Sequence, residues 1–359
     1  MHPQFGQLMK DATAFTRAGN LDAAMAAIAT ALNRGPVPPK SAQPPQPVPI
    51  ADDRVIDVEA RVIADDAPAA MPDAQAQARF VSGHYAHRAG ARDYRLFIPA
   101  AGPEKPQALI LMLHGCTQTP DDFARGTRMN ALGAQHNALV LYPAQTRHAN
   151  AQGCWNWFKH NHQGRERGEP ALLAAMAKHI AHSHGVDPAH IYVAGLSAGG
   201  AMAAILAATH PDVFAAAGVH SGLAAGSARD LPGALAAMQG NGNGNGDGNG
   251  PTAGSARSRV RLIVFHGDAD TTVHPRNADQ VAGAHGGGAI RVDEQPGLQL
   301  GARRCTRRLH RDAQGKVVTE QWLVHSAGHA WSGGDPSGSF ADAHGPDASA
   351  EMVRFFLER

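Results

Sequence analysis

The sequence has few cysteines, few aromatic residues, almost no net charge and no long apolar run. Its 3 cysteines in 359 residues exclude a small scaffold held together by disulfides. Lys plus Arg total 32 and Asp plus Glu total 31, so the formal charge of +1 argues against a protein that binds nucleic-acid phosphates. Apolar runs such as 108–113 are far shorter than the roughly 20 residues that cross a bilayer, so no transmembrane segment is predicted. The 43% of hydrophobic residues still predicts a globular protein with a sizeable core.

Glycine and proline are abundant and are concentrated in a few segments, which mark the boundaries between the predicted regions of the chain. Residues 1–34 carry apolar side chains at helical spacing and predict a short helical extension, with no Sec signal peptide. Residues 35–78 begin with seven prolines in 35–50 and predict a disordered linker. The folded domain is therefore predicted over 79–359, with a flexible loop of glycine and asparagine at 239–251.

Apolar strands alternate with helical segments in the predicted folded domain. The predicted strands are 95–98, 108–113, 138–142, 191–194, 260–265 and 321–324, and the predicted helices are 170–184, 198–209 and 348–357. This alternation predicts an α/β fold with a mostly parallel central sheet and helices on both faces. Active sites in such sheets lie beyond the carboxyl ends of the strands, so polar residues that follow a strand are the candidates for chemistry.

The clearest chemical motif is Gly195-Leu-Ser-Ala-Gly199, which lies between a predicted strand and a predicted helix. A serine on such a sharp strand-to-helix turn is exposed as a nucleophile, and the helix N-terminus stabilises negative charge beside it. Side chains at Gly195 and Gly199 would clash with the neighbouring chain segments. The context predicts Ser197 as a nucleophile.

A serine hydroxyl is a weak nucleophile near pH 7, so it needs a base and a carboxylate that orients the base. Asp268 and Asp270 follow one predicted strand after the serine, and His325 and His329 follow the next predicted strand. This is the order of serine, acid and histidine that is typical of the fold. The pattern alone leaves both choices open, because either aspartate could bond its own turn and His325 could pack at the strand end.

A second requirement is a pair of donors for the oxyanion that forms during attack on a carbonyl group. His114, Gly115 and Cys116 follow the buried strand 108–113, where hydrolases of this fold place a backbone donor. The predicted donors are the backbone N–H groups of Cys116 and Ala198.

Five motifs combine into a specific pattern. They are His114-Gly-Cys-Thr-Gln118, Cys154-Trp-Asn-Trp-Phe158, Gly195-Leu-Ser-Ala-Gly199, His266-Gly-Asp-Ala-Asp270 with Val273, and Gly328-His-Ala-Trp-Ser-Gly-Gly334. Together they resemble the polyhydroxybutyrate depolymerase family of esterases over roughly residues 80–358. The resemblance implies an α/β-hydrolase fold and hydrolysis of carboxylic esters without metal or organic cofactor. It implies Ser197 as nucleophile, Asp270 rather than Asp268 as the acid, and His329 rather than His325 as the base.

The tryptophans in or near these motifs have two interpretations. Trp155, Trp157 and Trp331 could pack in the core, or they could form an apolar wall that binds part of a polyester chain. The resemblance favours substrate contact for Trp155 and Trp331. His114 is also predicted to bind substrate.

Cysteine placement leaves the cellular compartment open. Cys116 and Cys154 both belong to motif loops near the predicted site, and a disulfide between them is a hypothesis that would favour an oxidising compartment. Cys305 lies in a basic stretch outside the motifs and is predicted to be unpaired. The family resemblance implies an extracellular protein, whereas the odd cysteine and the missing signal peptide favour the cytoplasm.

The expected substrate is a 3-hydroxyalkanoate oligomer or a small ester. The polymer-degrading secreted members of the family carry an added linker and substrate-binding domain, whereas this sequence stops just after Phe356, which favours soluble substrates over crystalline polymer. A feruloyl or acetyl-xylan type esterase is the alternative among enzymes. A non-catalytic protein that binds polyester granules is the alternative from another class, although the complete serine, acid and histidine order argues against it. The sequence does not indicate an oligomeric state.

Overall fold

The structure of the protein is a computed structural model, and it describes residues 77–100, 105–242, 260–285 and 291–358. The predicted helical extension over 1–34 lies outside these residues, as does the predicted linker up to residue 76. The predicted loop at 239–251 lies outside them from residue 243 onward. Its first residues belong to a helical turn, Ala237–Asn241, and not to a loop as predicted.

Strands and helices alternate along the described chain. The strands are β1 (Arg79–His87), β2 (Gly90–Ile98), β3 (Ala108–Leu113), β4 (Ala138–Pro143), β5 (Ile191–Leu196), β6 (Ala216–His220), β7 (Arg261–Gly267), β8 (Arg291–Leu300), β9 (Arg303–Arg311), β10 (Val317–Val324), β11 (Trp331–Ser332) and β12 (Ala341–Asp342). The helices are α1 (Pro120–Thr127), α2 (Met129–Gln135), α3 (Gly168–Ser183), α4 (Ala198–Thr209), α5 (Leu231–Ala236), α6 (Arg276–His285) and α7 (Ala348–Leu357).

Ten of the strands form one sheet in the order β1-β2-β4-β3-β5-β6-β7-β10-β9-β8, and β11 pairs with β12 separately. The six central strands, from β4 to β10 in that order, are parallel to one another. The outer pairs at both ends are antiparallel. The predicted α/β class with a mostly parallel sheet is confirmed, and the carboxyl ends of β3, β5, β6, β7 and β10 open at one edge.

Burial explains why the central strands are continuous apolar runs. Every residue of β3, β4 and β5 is buried, as expected for strands covered on both faces. Alternate residues of β3 enter two different cores, with Leu109 and Leu111 on one face and Ile110 and Met112 on the other. Helices α3, α4 and α6 pack on the first face, and α1, α2 and α7 pack on the second.

The strands at the far end of the sheet are polar and lie outside the predicted set. Residues 303–311 form β9, and its arginines make ion pairs with neighbouring carboxylates. Arg308 contacts Glu294 of β8 at 2.7 Å, and Arg311 contacts Asp293 at 2.8 Å. This hairpin is stabilised by backbone hydrogen bonds and ion pairs. It lacks the apolar pattern on which strand prediction depends, so the sequence did not indicate its strands.

Candidate active site

The strand β5 ends in a sharp turn at Ser197, from which α4 begins at Ala198. Ser197 has φ of 58° and ψ of −120°, a conformation that is strained for a residue with a side chain. Its N–H donates to the carbonyl oxygen of His220 at 2.9 Å, which ties the turn to the end of β6. We call Gly195–Gly199 the nucleophile elbow.

The glycines of the elbow are required by close backbone packing. A Cβ on Gly199 would lie 2.0 Å from the carbonyl oxygen of Leu113, and a Cβ on Gly195 would lie 2.4 Å from the backbone of Gly199. No side chain tolerates such distances, so larger residues would force α4 away from β3. The predicted clash at both glycines is confirmed.

The loop that follows β3 lies against the elbow. A Cβ on Gly115 would be 3.6 Å from the Cβ of Ser197, so Gly115 and the serine are in contact range. The N–H of Gly115 donates to Oε1 of Gln118 at 2.8 Å and is therefore already used. Within the described residues, the N–H groups of Cys116 and Ala198 make no hydrogen bond. These two N–H groups, at the loop and at the start of α4, are the donors that the sequence predicts for an oxyanion.

The carboxylate of Asp270 is buried and fully hydrogen-bonded. Its Oδ1 accepts from the N–H groups of Thr272 and Val273, each at 2.9 Å. Its Oδ2 lies 2.7 Å from Nδ1 of His329. Burial alone would raise the pKa of Asp270, but the hydrogen bond with His329 and the nearby histidine charge hold it below its usual value. Asp270 is therefore an anion that fixes the orientation of His329.

A second aspartate and histidine pair lies beside the first. Oδ2 of Asp268 is 2.8 Å from Nδ1 of His325, and its Oδ1 accepts from the N–H of Ser326 at 2.6 Å. Nε2 of His325 is 3.0 Å from the hydroxyl of Thr306. The structure thus pairs each of the two candidate acids with a different candidate base.

Ser197 and His329 lie at the same sheet edge, but no hydrogen bond joins their side chains within the described chain. Catalytic hydrogen bonds are often long in structures without substrate and shorten when substrate binds. His220 connects the turn of Ser197 with the loop of His329 by two hydrogen bonds. This residue holds Ser197 by its carbonyl oxygen, and its Nε2 accepts from the N–H of Ser332 at 2.9 Å.

The predicted substrate contacts of the tryptophans and of His114 do not agree with their burial. Trp155 and Trp331 are 0% and 1% exposed, and Trp157 is also buried in the core. Trp331 donates to the hydroxyl of Ser349 at 3.0 Å. Both ring nitrogens of His114 serve the loop, since Nδ1 contacts the Gly115 carbonyl oxygen at 2.8 Å and Nε2 accepts from a backbone N–H. Core packing and loop support, not a substrate wall, account for these side chains.

Sequence reasoning missed a buried polar network around Glu169. The carboxylate accepts from the backbone N–H of Asn156 at 2.7 Å, from the Asn156 amide at 2.8 Å and from Gln145 at 2.5 Å. Arg92 lies 3.2 Å from it. Burial would raise the pKa of Glu169, but hydrogen bonding and the charge of His162 lower it below its usual value. A polar residue directly before the predicted helix 170–184 gave no signal of this role.

The network supports the loop that carries Cys116. The N–H of Gln145 donates to Nε2 of His114 at 3.1 Å, and a disulfide of 2.09 Å joins Cys116 to Cys154. Cys305 is free and buried. The loop that carries Cys116 is therefore attached to the following loop both by covalent and by hydrogen bonds.

Two further properties of the described residues concern metals and membranes. In residues 77–100, 105–242, 260–285 and 291–358 no group of three or more His, Cys, Asp or Glu side chains is placed to hold a metal ion. In the same ranges no helix is both long enough and apolar enough to cross a bilayer.

Comparison with known proteins places the chain in a family. Residues 92–304 match the family model described as "Esterase PHB depolymerase". The chain belongs to this esterase family. The match includes Ser197, Asp270 and the loop of Cys116, whereas His329 lies beyond its end.

Curated relatives include enzymes with different ester substrates in their names. Poly(3-hydroxyalkanoate) depolymerase C of Paucimonas lemoignei is 30% identical over 241 residues, which are 65% of this chain and 56% of that protein. Feruloyl esterase B of Neurospora crassa is 31% identical over 193 residues, which are 51% of this chain and 65% of that protein. The chain thus spans little more than half the length of the depolymerase that it matches.

A solved structure in the comparison supports the fold. The acetyl xylan esterase from Aspergillus awamori aligns with a TM-score of 0.56 at 21% identity, covering 66% of this chain and 89% of that one. At this identity the likeness concerns the fold, and the α/β-hydrolase architecture implied by the sequence motifs is confirmed.

Proposed function

We propose that the chain is a serine hydrolase that cleaves carboxylic esters through an acyl-enzyme on Ser197. The observation that carries the proposal is the 2.7 Å contact between His329 and the buried Asp270, at the sheet edge where Ser197 is held at positive φ. Family membership supports the same reaction class.

Acylation begins when Ser197 Oγ attacks the ester carbonyl carbon and passes its proton to Nε2 of His329. Asp270 keeps the other ring nitrogen, Nδ1, protonated and stabilises the imidazolium that forms. The tetrahedral oxyanion is held by the N–H groups of Cys116 and Ala198, which have no partner among the described residues. Collapse of this intermediate expels the alcohol, which takes the proton from His329.

Deacylation repeats the sequence with water as nucleophile. His329 Nε2 removes a proton from water, and the resulting hydroxide attacks the acyl carbon while the same two N–H groups hold the oxyanion. The carboxylic acid leaves, and Ser197 Oγ regains its proton from His329. Both steps require the imidazole of His329 to reach hydrogen-bond distance of Ser197 Oγ when substrate is bound.

We propose a 3-hydroxyalkanoate oligomer or a small ester as substrate. The depolymerase of Paucimonas lemoignei matches over 65% of this chain, against 51% for the feruloyl esterase, which favours the first substrate class. Chain-length profiling with soluble 3-hydroxybutyrate oligomers, in parallel with feruloyl and acetyl esters, distinguishes an oligomer hydrolase from a feruloyl or acetyl-xylan type esterase. A feruloyl or acetyl ester turned over faster than every oligomer would contradict the oligomer as substrate, favour the feruloyl or acetyl-xylan type alternative, and leave the reaction class intact.

The reaction class is tested by labelling with a fluorophosphonate, which reacts with an activated serine. We expect the wild type to be labelled, the Ser197→Ala variant to be unlabelled, and its esterase activity to fall by about 10³-fold or more. Ser183→Ala, a change on the exposed part of α3, is the control and should behave as wild type. A folded wild type that is not labelled would contradict the proposal and favour a non-catalytic protein that binds polyester.

We also propose an oxidising compartment as the place of action. The disulfide between Cys116 and Cys154 supports this, because structural disulfides persist where thiols are not kept reduced.

A further inference from the structure

A buried histidine that no motif includes lies between the nucleophile elbow and the loop of His329. His220 ends β6, between β5, which leads to Ser197, and β7, which leads to Asp270. It is 1% exposed, so it cannot touch substrate. Its position nevertheless brings it into contact with the nucleophile elbow on one side and with the loop of His329 on the other.

The two contacts come from different parts of the residue. The carbonyl oxygen of His220 accepts the N–H of Ser197 at 2.9 Å. Its ring Nε2 accepts the N–H of Ser332 at 2.9 Å, three residues after His329. One residue thus sets the position of the elbow by its backbone and the position of the histidine loop, defined as residues 325–332, by its side chain.

The ring is held in place by packing. It stacks on Trp331, with centroids 5.0 Å apart, and on Phe265 of β7, with centroids 5.8 Å apart. Trp331 is itself anchored by its hydrogen bond to Ser349. The planar ring of His220 fills the space between Trp331 and Phe265, and its Nε2 accepts from the buried N–H of Ser332. An apolar side chain at this position would leave that N–H without a partner.

The hydrogen bond fixes the protonation state of the ring. The N–H of Ser332 can donate only to an unprotonated Nε2, so the proton of the neutral ring is on Nδ1, 3.3 Å from the Ser221 hydroxyl. Burial, together with the charges of His266 and His329, lowers the pKa of His220 to about 3. The acceptor therefore persists at neutral pH and well below it.

We infer that His220 is a positioning residue, which holds the histidine loop in register with the nucleophile elbow by accepting the N–H of Ser332. The inference rests on the proposed function for its catalytic consequence.

A matched pair of variants tests the inference. His220→Gln can place an amide oxygen near the position of Nε2, whereas the shorter His220→Asn places its acceptor near Nδ1, out of reach of Ser332. We expect His220→Asn to lower kcat by about 10- to 100-fold with KM changed by less than about 3-fold, since a misplacement near 1 Å has effects of this size. His220→Gln should retain most of kcat. His220→Phe, which keeps the ring stack but has no acceptor, should resemble His220→Asn.

The matched control is His210, a buried histidine at the opposite end of α4. A helix of 12 residues separates it from Ser197 by about 18 Å. His210→Phe should lower thermal stability but leave kcat per folded molecule within about 2-fold. If His220→Asn acts in the same way as His210→Phe, or if His220→Gln is no better than His220→Asn, the positioning role is wrong.

Hydrogen exchange separates failure of the inference from failure of the proposed function. In the full chain, the amide of Ser332 should exchange faster in His220→Asn than in the wild type, with His220→Gln near the wild type. This readout needs no activity, so it holds even if the wild type is not labelled by fluorophosphonate. Unchanged exchange at Ser332 in a folded His220→Asn variant would overturn the inference.

Discussion

His325 and Asp268 form a hydrogen-bonded pair of their own, with 2.8 Å between Nδ1 and Oδ2. It uses the same two loops as the pair of His329 and Asp270, whose atoms are 2.7 Å apart. Burial distinguishes them. The side chains of Asp268 and His325 are each 36% exposed, whereas the Asp270 side chain is fully buried. A contact exposed to water stabilises little, whereas the buried Asp270 holds His329 in one geometry.

The two pairs give a matched prediction. Asp270→Asn should lower kcat by about 10³- to 10⁴-fold, because an amide no longer holds His329 in the tautomer that accepts a proton at Nε2. Asp268→Asn should lower kcat by less than about 10-fold. Steady-state kinetics on a soluble aryl ester measure both. Equal losses in the two variants would contradict the assignment of Asp270 as the acid.

Backbone contact at the elbow leads to a prediction about stability. Gly199→Ala should strongly destabilise the protein or prevent folding, because the added Cβ would lie 2.0 Å from the Leu113 carbonyl oxygen. Gly283→Ala is the control, since this helical glycine has no neighbour within 4 Å of an added Cβ. It should raise the free energy of unfolding by about 0.5–1 kcal/mol, measured by urea denaturation. A well-folded Gly199→Ala variant would show that the elbow is less tightly packed than described.

The sequence predicts the parallel centre of the sheet well, and for a physical reason. Strands β3, β4 and β5 are buried on both faces, so they must be apolar throughout, and that is the pattern which prediction detects. Strand β6 is equally buried but consists of Ala216, Ala217, Gly218, Val219 and His220, and small residues carry little strand signal. His220 was missed with its strand.

Sequence reasoning selects candidate site residues where the chemistry dictates residue type, and it fails where burial decides the role. The order of serine, aspartates and histidines follows from the fold, but the pairing of Asp270 with His329 instead of His325 depends on three-dimensional packing. The same is true of Trp155 and Trp331. A tryptophan in a motif loop looks identical in sequence whether it faces substrate or core, and here both are in the core.

The disulfide has a direct chemical test. Thiol titration of the denatured, unreduced protein should find one free thiol, that of Cys305, because Cys116 and Cys154 are joined. After reduction the same titration should find all 3 cysteines. Three free thiols before reduction, in protein purified without reductant from an oxidising compartment, would contradict the disulfide.

Buried neutral histidines predict that the folded protein loses stability as the pH falls below about 6.5. Burial lowers the pKa of His220 to about 3 and also lowers the pKa values of His114 and His266. Between about pH 6.5 and pH 3 the unfolded chain therefore binds protons that the folded chain does not, so the free energy of unfolding falls as the pH falls. For His220 alone the loss from pH 7 to 4.5 should be roughly 2–3 kcal/mol.

Urea denaturation at several pH values measures this slope, and His220→Gln provides the comparison. Glutamine does not titrate, so the free energy of unfolding of this variant should fall less steeply between pH 7 and 4.5 than that of the wild type. His210→Gln should flatten the slope in the same direction, because burial and the charge of Arg165 lower the pKa of His210 to about 4. Identical slopes in the wild type and His220→Gln would mean that His220 takes up a proton in the folded protein above pH 4.5. The ring could then not hold the N–H of Ser332 in that pH range.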